Sequence, residues 1–390
     1  MATLLRRLTL SVTIAGTPLP FVLSAKCNFG FSQRVSQATF EVPNVLLGSN
    51  YDQEIVITMG AGTNNIVRFV GIVRTFQYTP TPRGVEYQCY GYLQLAAEYE
   101  NWEDSFSTPI GGLSPLDLTG NQPDTASNII TAVLGKVGIP GPNIGAIDST
   151  AILYGLYMDA FTWRNGRNSQ NPNLLETGET ALSYIERYDE IDAVFSGGNG
   201  GRYRTYERLG GITERFLVGG RPRNAIDFTF TETVDILDGQ IQRSKLDFKN
   251  YFVVTGYDVG NGAGPFAFPV PGDPGFGGSG KRTYRFSSEM IERAHDADPG
   301  TGQSCEVLAN AISLDYNREI VTGWIETFRD DAISLAQTHL VSAPGGAVDR
   351  LGTGEKLWVQ ALEVSIDGRG FTQRITYIGG GVDPTLAGPP

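Results

Sequence analysis

Residues 69–91 read FVGIVRTFQYTPTPRGVEYQCYG, and residues 358–379 read WVQALEVSIDGRGFTQRITYIG. In each, a run rich in β-branched and aromatic residues enters a short turn and returns as a second such run, the pattern of a β-hairpin. Phe69-Val70-Gly71-Ile72-Val73 in the first stands against Trp358-Val359-Gln360-Ala361-Leu362 in the second. Two long hairpins of this kind in one chain suggest that a single β-barrel unit occurs twice.

Outward from the first hairpin, Leu8, Leu10, Val12 and Ile14 alternate with Thr9, Ser11 and Thr13, the period-two signature of a half-buried strand. Ser36–Val42, Glu54–Met59, Ile66–Tyr78 and Val85–Tyr92 also have strand composition and are separated by turn-rich breaks. Residues 1–103 are therefore expected to form a first antiparallel barrel. Around the second hairpin, Ala225–Phe230, Ile236–Arg243, Tyr251–Tyr257, Ile320–Phe328 and Thr338–Ser342 read as strands beside Leu357–Ile366 and Phe371–Ile378. They assign residues 223–257 and 317–383 to a second barrel, with 384–390 as a tail.

Between the barrels the pattern changes. Ile129, Ile130, Val133, Leu134 and Val137 have helical spacing, and Gly138 and Pro140 stop that helix, which is expected over Thr125–Val137. A second helix is expected over Gly178–Asp189, with Thr177 as N-cap and Ala181, Ile185 and Tyr188 on one face. Ile191–Phe195, the turn at 196–201 and Arg202–Arg208 read as a hairpin. Residues 104–222 thus form an α+β insertion. Asp258–Arg282 is so dense in Gly and Pro that no regular element is expected. Cys305, Leu308, Ala309, Ile312 and Tyr316 then recur at helical spacing, so 258–316 is read as a loop plus a helical insertion. Phe266, Phe268 and Phe276 are spaced along the loop as candidate partner-contact anchors. The fold class is mainly β with α+β insertions, with two antiparallel β-barrels per chain.

Composition agrees: 49 Gly and 21 Pro among 390 residues suit many short strands joined by tight turns. A formal net charge of −12 argues against a general grip on nucleic acid, which needs clustered Lys and Arg, although an acidic wall suits DNA that slides past without sticking. No stretch approaches the roughly 20 uninterrupted apolar residues that span a bilayer, so neither stable membrane insertion nor Sec export is expected. Cys27, Cys89 and Cys305 lack CxxC or CxxH spacing, which points to no disulfide framework and no zinc site, and to assembly in a reducing cytoplasm.

The motifs that suggest chemistry do not hold together. Gly275–Arg282 imitates a P-loop, but Arg282 stands where the magnesium-binding Ser or Thr belongs and no buried strand precedes it, so Lys281 is read as part of a loop. Asp296-Ala297-Asp298 is broken as a calcium loop by Pro299 and lacks the closing Glu. His295 and His339 are the only histidines, and no Gly-x-Ser-x-Gly elbow accompanies them. Glu98, Glu100, Glu103 and Asp104 beside Trp102 are read as a solvated charged edge, although two of them at glycosidase spacing is a geometry that sequence does not test. Trp163, Trp324 and Trp358 are read as core or interface residues. No catalytic residue, cofactor or metal is expected, and the chain is read as a non-enzyme.

The order of these elements resembles the bacteriophage tail hub family: baseplate hubs of contractile tails, late control proteins and the N-terminal region of siphophage tail-tip proteins. The stretches that carry the resemblance are Leu8–Ile14 followed by Gly16, Ala38–Asn44, Phe69–Val73, Ala126–Ile130, Glu179–Ile185, Asn250–Gly256 and the hairpin from Val359 to Tyr377. The resemblance implies two tail-tube-like β-barrels per chain and a homotrimer whose six barrels match a hexameric tail tube. It also implies a virion protein of the tail tip or baseplate, assembled in the host cytoplasm, that closes the tube. Its partners would be the tail tube protein, the distal tail protein, the tape measure protein and a central fibre or spike, with DNA as transient cargo in the lumen during ejection. No lysozyme, peptidase or fibre domain is seen before Pro390, so those tasks are expected in other chains. The competing readings are a hexameric tail tube or distal tail ring protein and, from another class, a β-rich extracellular carbohydrate-active enzyme.

Overall fold

The alternation of Leu8–Ile14 is realised as strand β1, with Val12 and Ile14 buried. The computed structural model describes residues 8–43, 50–61, 65–80, 83–99, 124–149, 153–154, 180–195, 201–219, 225–232, 234–244, 249–257, 266–271, 282–292, 320–342 and 356–379. After β1 come β2 (Thr17–Pro18), β3 (Ser24–Gly30), β4 (Gln37–Pro43), β5 (Glu54–Ala61), β6 (Ile66–Pro80) and β7 (Arg83–Gly91). Helix α1 (Leu93–Glu98) follows β7, and the insertion holds helices α2 (Ala126–Lys136) and α3 (Ala181–Phe195). Its strands are β8 (Asp124–Thr125), β9 (Ile144–Ile147), β10 (Leu153–Tyr154), β11 (Gly201–Arg208) and β12 (Ile212–Gly219). Then follow β13 (Phe228–Thr231), β14 (Ile236–Ser244), β15 (Tyr251–Tyr257), β16 (Phe266–Pro271), β17 (Thr283–Glu292), β18 (Ile320–Thr327), β19 (Thr338–Ser342), β20 (Lys356–Asp367) and β21 (Gly370–Gly379). The protein is mainly β, as expected.

Thirteen of these strands make one sheet, and its order exposes an internal repeat. In the N-terminal half the neighbours run β1-β5-β6-β7-β4-β3; in the C-terminal half they run β13-β19-β20-β21-β18-β14. Numbered within its own half, each row has the same order. Every neighbouring pair is antiparallel in both rows except the first, where β1–β5 is antiparallel and β13–β19 parallel. Even the irregularity is repeated: β6–β7 carries a bulge between Val73 and Thr75, and β20–β21 carries one between Val359 and Ala361. A bulge at a matching place in two hairpins is a designed feature of each. Aligning the bulges sets Ile72 against Trp358, three residues from the offset that the sequence suggests, because the pairing register and not the apolar run defines the equivalence.

The halves are joined by β3, which pairs with β4 on one edge and with β20 on the other. The core spans the junction: Cys27, Phe29, Phe40, Tyr87, Val364, Ile375 and Tyr377 belong to one buried cluster. Among the described residues the pairings run from β14 to β2 without returning on themselves, so the two halves share a continuous sheet.

The insertion packs on a second core, of which Leu93, Ile129, Ile130, Leu134, Ala181, Ile185 and Tyr188 are part. Helix α2 forms where its apolar spacing predicts. Thr125 caps its N-terminus, and Gly138, at φ +94°, takes the left-handed turn while Ile139 N–H closes back on the Leu134 carbonyl. Helix α3 begins later and ends later than the spacing suggests. Its N-cap is Thr180, whose Oγ1 accepts from Ser183 N–H, and it continues through Ile191–Phe195, the stretch expected as a strand. The hairpin therefore consists of β11 and β12. Two further expectations are corrected. Tyr251–Tyr257, expected in the second barrel, instead forms a three-stranded sheet with β16 and β17, and β16 is a strand inside the segment expected to have none.

Candidate assembly interface

The large sheet exposes apolar side chains at two places, on β6 and on its edge strand β14. On β6, pairing with β5 stops at Ile72, and Val73 is held by backbone bonds with Asp52 and Gln53. Beyond it Thr75, Phe76, Gln77 and Tyr78 are all exposed, although Phe76 and Tyr78 lie opposite the buried Tyr87 and Val85 of β7 and so belong to the core face. Phe76 packs only at its margins, its ring centroid 5.2 Å from Tyr51 and 5.9 Å from Tyr87. At the β14 edge of the sheet, Val234 and Leu237 flank and enter β14 and are also exposed, Leu237 as the extra residue of a bulge against β18. Exposed core-face aromatics on β6 and an edge strand, β14, that pairs on one side among the described residues are features of an association surface.

Two buried polar clusters hold the insertion against this sheet. The Glu207 carboxylate on β11 accepts from Ser36 N–H at 2.8 Å, Ser36 Oγ–H at 2.9 Å and Leu93 N–H at 2.6 Å, bridging the β3–β4 turn and the start of α1. Gly91 is required for this approach: a Cβ there would stand 1.9 Å from Glu207 Oε2. The second cluster centres on Arg215, fully buried, which donates to Asp189 and Asp192 of α3 at 2.8 Å each and to the carbonyls of Asp148 and Tyr188. Arg34, from the β3–β4 turn, donates to Asp189 as well, so the cluster reaches the sheet.

Burial pushes the Glu207 carboxyl up from 4.5 to about 7, against the three hydrogen bonds that favour the anion. A carboxyl raised in the folded state binds its proton more tightly there than in the unfolded chain. Its contribution is therefore fully present below pH 4.5 and is lost as pH rises toward 7. Glu207→Gln removes this titration. The stability of the wild type relative to the variant should fall by on the order of 3 kcal/mol across that interval. Denaturant unfolding of both proteins at pH 4.5 and pH 7 checks this; parallel curves at the two pH values would contradict it.

The residues singled out in the sequence do not converge on a catalytic constellation among those described. Phe266 and Phe268 lie in β16, while Phe276, Lys281, His295, Asp296, Asp298, Glu100, Trp102, Glu103, Asp104, Trp163 and Cys305 lie outside the described residues. His339 is a core residue, sharing a 2.8 Å hydrogen bond with Tyr377 and flanked by Phe228 and Phe230; burial pushes it down to about 3, so it stays neutral. Trp358 is buried, and Trp324 carries the Arg374 guanidinium 4.0 Å above its ring. Glu98 pairs with Arg74 on the surface. Among the described residues no group of His, Cys, Asp and Glu is arranged to hold a metal, and no helix is long and apolar enough to cross a membrane. Sequence reading missed Glu207 and Arg215: each sits on the inward phase of a strand, and that alternation was their one available signal.

No protein-family profile and no curated protein matches this chain. Solved structures do. The tail protein from Neisseria meningitidis MC58 superposes with a TM-score of 0.58 at 10% identity, over 95% of this chain and 96% of that one. The 43 kDa tail protein of prophage MuSo2 from Shewanella oneidensis gives 0.59 at 10% identity, over 95% and 96%. The chain has the fold of these tail proteins along nearly its whole length.

Proposed function

We propose that the chain is a structural, non-enzymatic virion subunit of a phage-type tail, the hub that closes the tail tube at its distal tip. In this reading three copies form a ring. Each contributes two six-stranded units, and the six units face a sixfold tube around a pore for DNA. The observation that carries it is the repeat: one strand order occurs twice in a chain whose fold is shared with tail proteins. A duplicated unit lets a threefold object meet a sixfold one without unpaired strand edges. The net charge of −12 suits a lumen that DNA must leave without adhering. Tube and distal tail ring would meet one face of the ring. The tape measure and a central fibre or spike would meet the other, with the segment of Phe266, Phe268 and Phe276 as a contact on the tip side.

Light scattering with negative-stain imaging of the purified chain tests this. A homotrimeric ring with a central pore is expected. A hexameric ring would favour a tail tube or distal tail ring protein. A monomer that turns over a glycan, with turnover abolished by changing one carboxylate, would favour the carbohydrate-active enzyme.

A further inference from the structure

The internal repeat predicts which edges of two copies meet, and in what register. Within one chain, β3 of the first half pairs antiparallel with the C-terminal stretch of β20 in the second: Leu362 opposite Phe29, Glu363 opposite Asn28, Val364 opposite Cys27. By the order of the two halves, β3 corresponds to β14 and β20 to β6. The reciprocal pair, β14 with the C-terminal stretch of β6, is not made within the chain. Both edges that it would use are unpaired among the described residues: β14 pairs only with β18, and β6 loses β5 at Ile72.

We infer that β14 of one copy adds antiparallel to β6 of a second copy, with Gln242 opposite Gln77 and Ile241 opposite Tyr78. The register follows from the pairings. The matched bulges set Phe76, Gln77 and Tyr78 against Leu362, Glu363 and Val364. Carrying the correspondence through β7 and β21, then β4 and β18, sets Ile241 against Cys27 and Gln242 against Asn28. Exposure supports the assignment. Leu362 and Val364, covered by β3, are 2% and 0% exposed, whereas Phe76 and Tyr78 on the same face of the equivalent strand are 39% and 51% exposed. Among the described residues, those aromatics lack the neighbouring strand that their counterparts have. Ile241, a partly buried residue beside the main core, is placed to cover Tyr78 as Cys27 covers Val364.

Because β14 and β6 are different surfaces of the same chain, the contact is head-to-tail and must either close into a ring or run on as a filament. The pairing rests on the repeat; that the ring closes at three rests on the hub reading, and one experiment separates them. In the full chain with Cys305→Ser, Gln77→Cys and Gln242→Cys are introduced together, oxidised and run without reductant beside light scattering of the same sample. The native Cys27 and Cys89 are buried, and both substituted positions are exposed. Covalent oligomers are expected, whereas Gln77→Cys with Asp238→Cys, displaced by about 13 Å along the strand at roughly 3.3 Å per residue, should give none. Mixing singly substituted chains should give covalent dimers only. A trimer without the crosslink overturns the pairing and leaves the hub reading. Crosslinked filaments or rings of another number support the pairing and overturn the hub. A protein that stays monomeric and uncrosslinked at high concentration overturns both.

Discussion

Replacing Arg215 with alanine is expected to cost about 3–5 kcal/mol and to release α3 from the insertion while the large sheet stays folded. Arg215 is fully buried, with its guanidinium between two fully buried carboxylates and its face 4.2 Å from the Tyr203 ring centroid. Deleting it removes the Arg215 ion pair from Asp192 and from Asp189. Asp189 keeps Arg34 and two bonds from Thr205. An uncompensated buried charge is far more costly than the net value of the pair that held it. Arg215→Lys should recover little, because four acceptors are met from three nitrogens in a planar fork that an ammonium cannot reproduce. Adding Asp192→Asn to Arg215→Ala should recover part of the loss, since a buried carboxylate that has lost its ion pair with Arg215 is then neutral. Denaturant unfolding with hydrogen exchange of α3 and β11 amides measures this. A loss below about 1 kcal/mol would mean that the cluster is solvated in solution.

The same cluster explains where sequence reading stopped. Ala181, Ile185 and Tyr188 declare the apolar face of α3, and all three are buried. The continuation through Ile191–Phe195 looks like a strand because its local composition is β-branched and aromatic. Asp189 and Asp192 instead turn inward to Arg215, a partner more than twenty residues away that periodicity does not reveal. Strand β16 was missed for a local reason. Pro269 and Pro271 argue against a strand, yet among the described residues β16 pairs on one edge only, where a missing N–H can face away from the ladder. Strand β3 was missed because its inward positions begin with the small Ala25 and Cys27, which give a weak alternation signal. The two hairpins were legible because long aromatic and β-branched runs meet short turns in both. Their equivalence in register was not, since it is set by bulges that leave no composition mark.

Arg68→Met is expected to destabilise the junction of the two halves by about 3–5 kcal/mol. A lone arginine in a strand normally reads as an outward residue, but Arg68 on β6 is fully buried. Its guanidinium donates to the carbonyls of Met59, Asp330 and Asp331 and, at 3.5 Å, to Gln373 Oε1, and it lies 5.4 Å from the Phe371 ring centroid. One side chain of the first half thus satisfies backbone acceptors of the loop after β18 and reaches β21. Burial pushes Arg68 down to about 10, with Asp330 opposing that shift, so it remains charged at neutral pH and its four bonds stay charge-assisted. Methionine fills much of the volume and returns none of the donors: the Asp331 carbonyl keeps Ile333 N–H and the Gln373 amide, while the Met59 and Asp330 carbonyls lose a charged donor. The loss should fall on the coupling between halves, not on either alone. Exchange of β5 and β6 amides and the emission of Trp358 should report one shared unfolding transition in the wild type and separate midpoints in the variant. A single transition at an unchanged midpoint would show that the β3–β20 pairing alone holds the halves together.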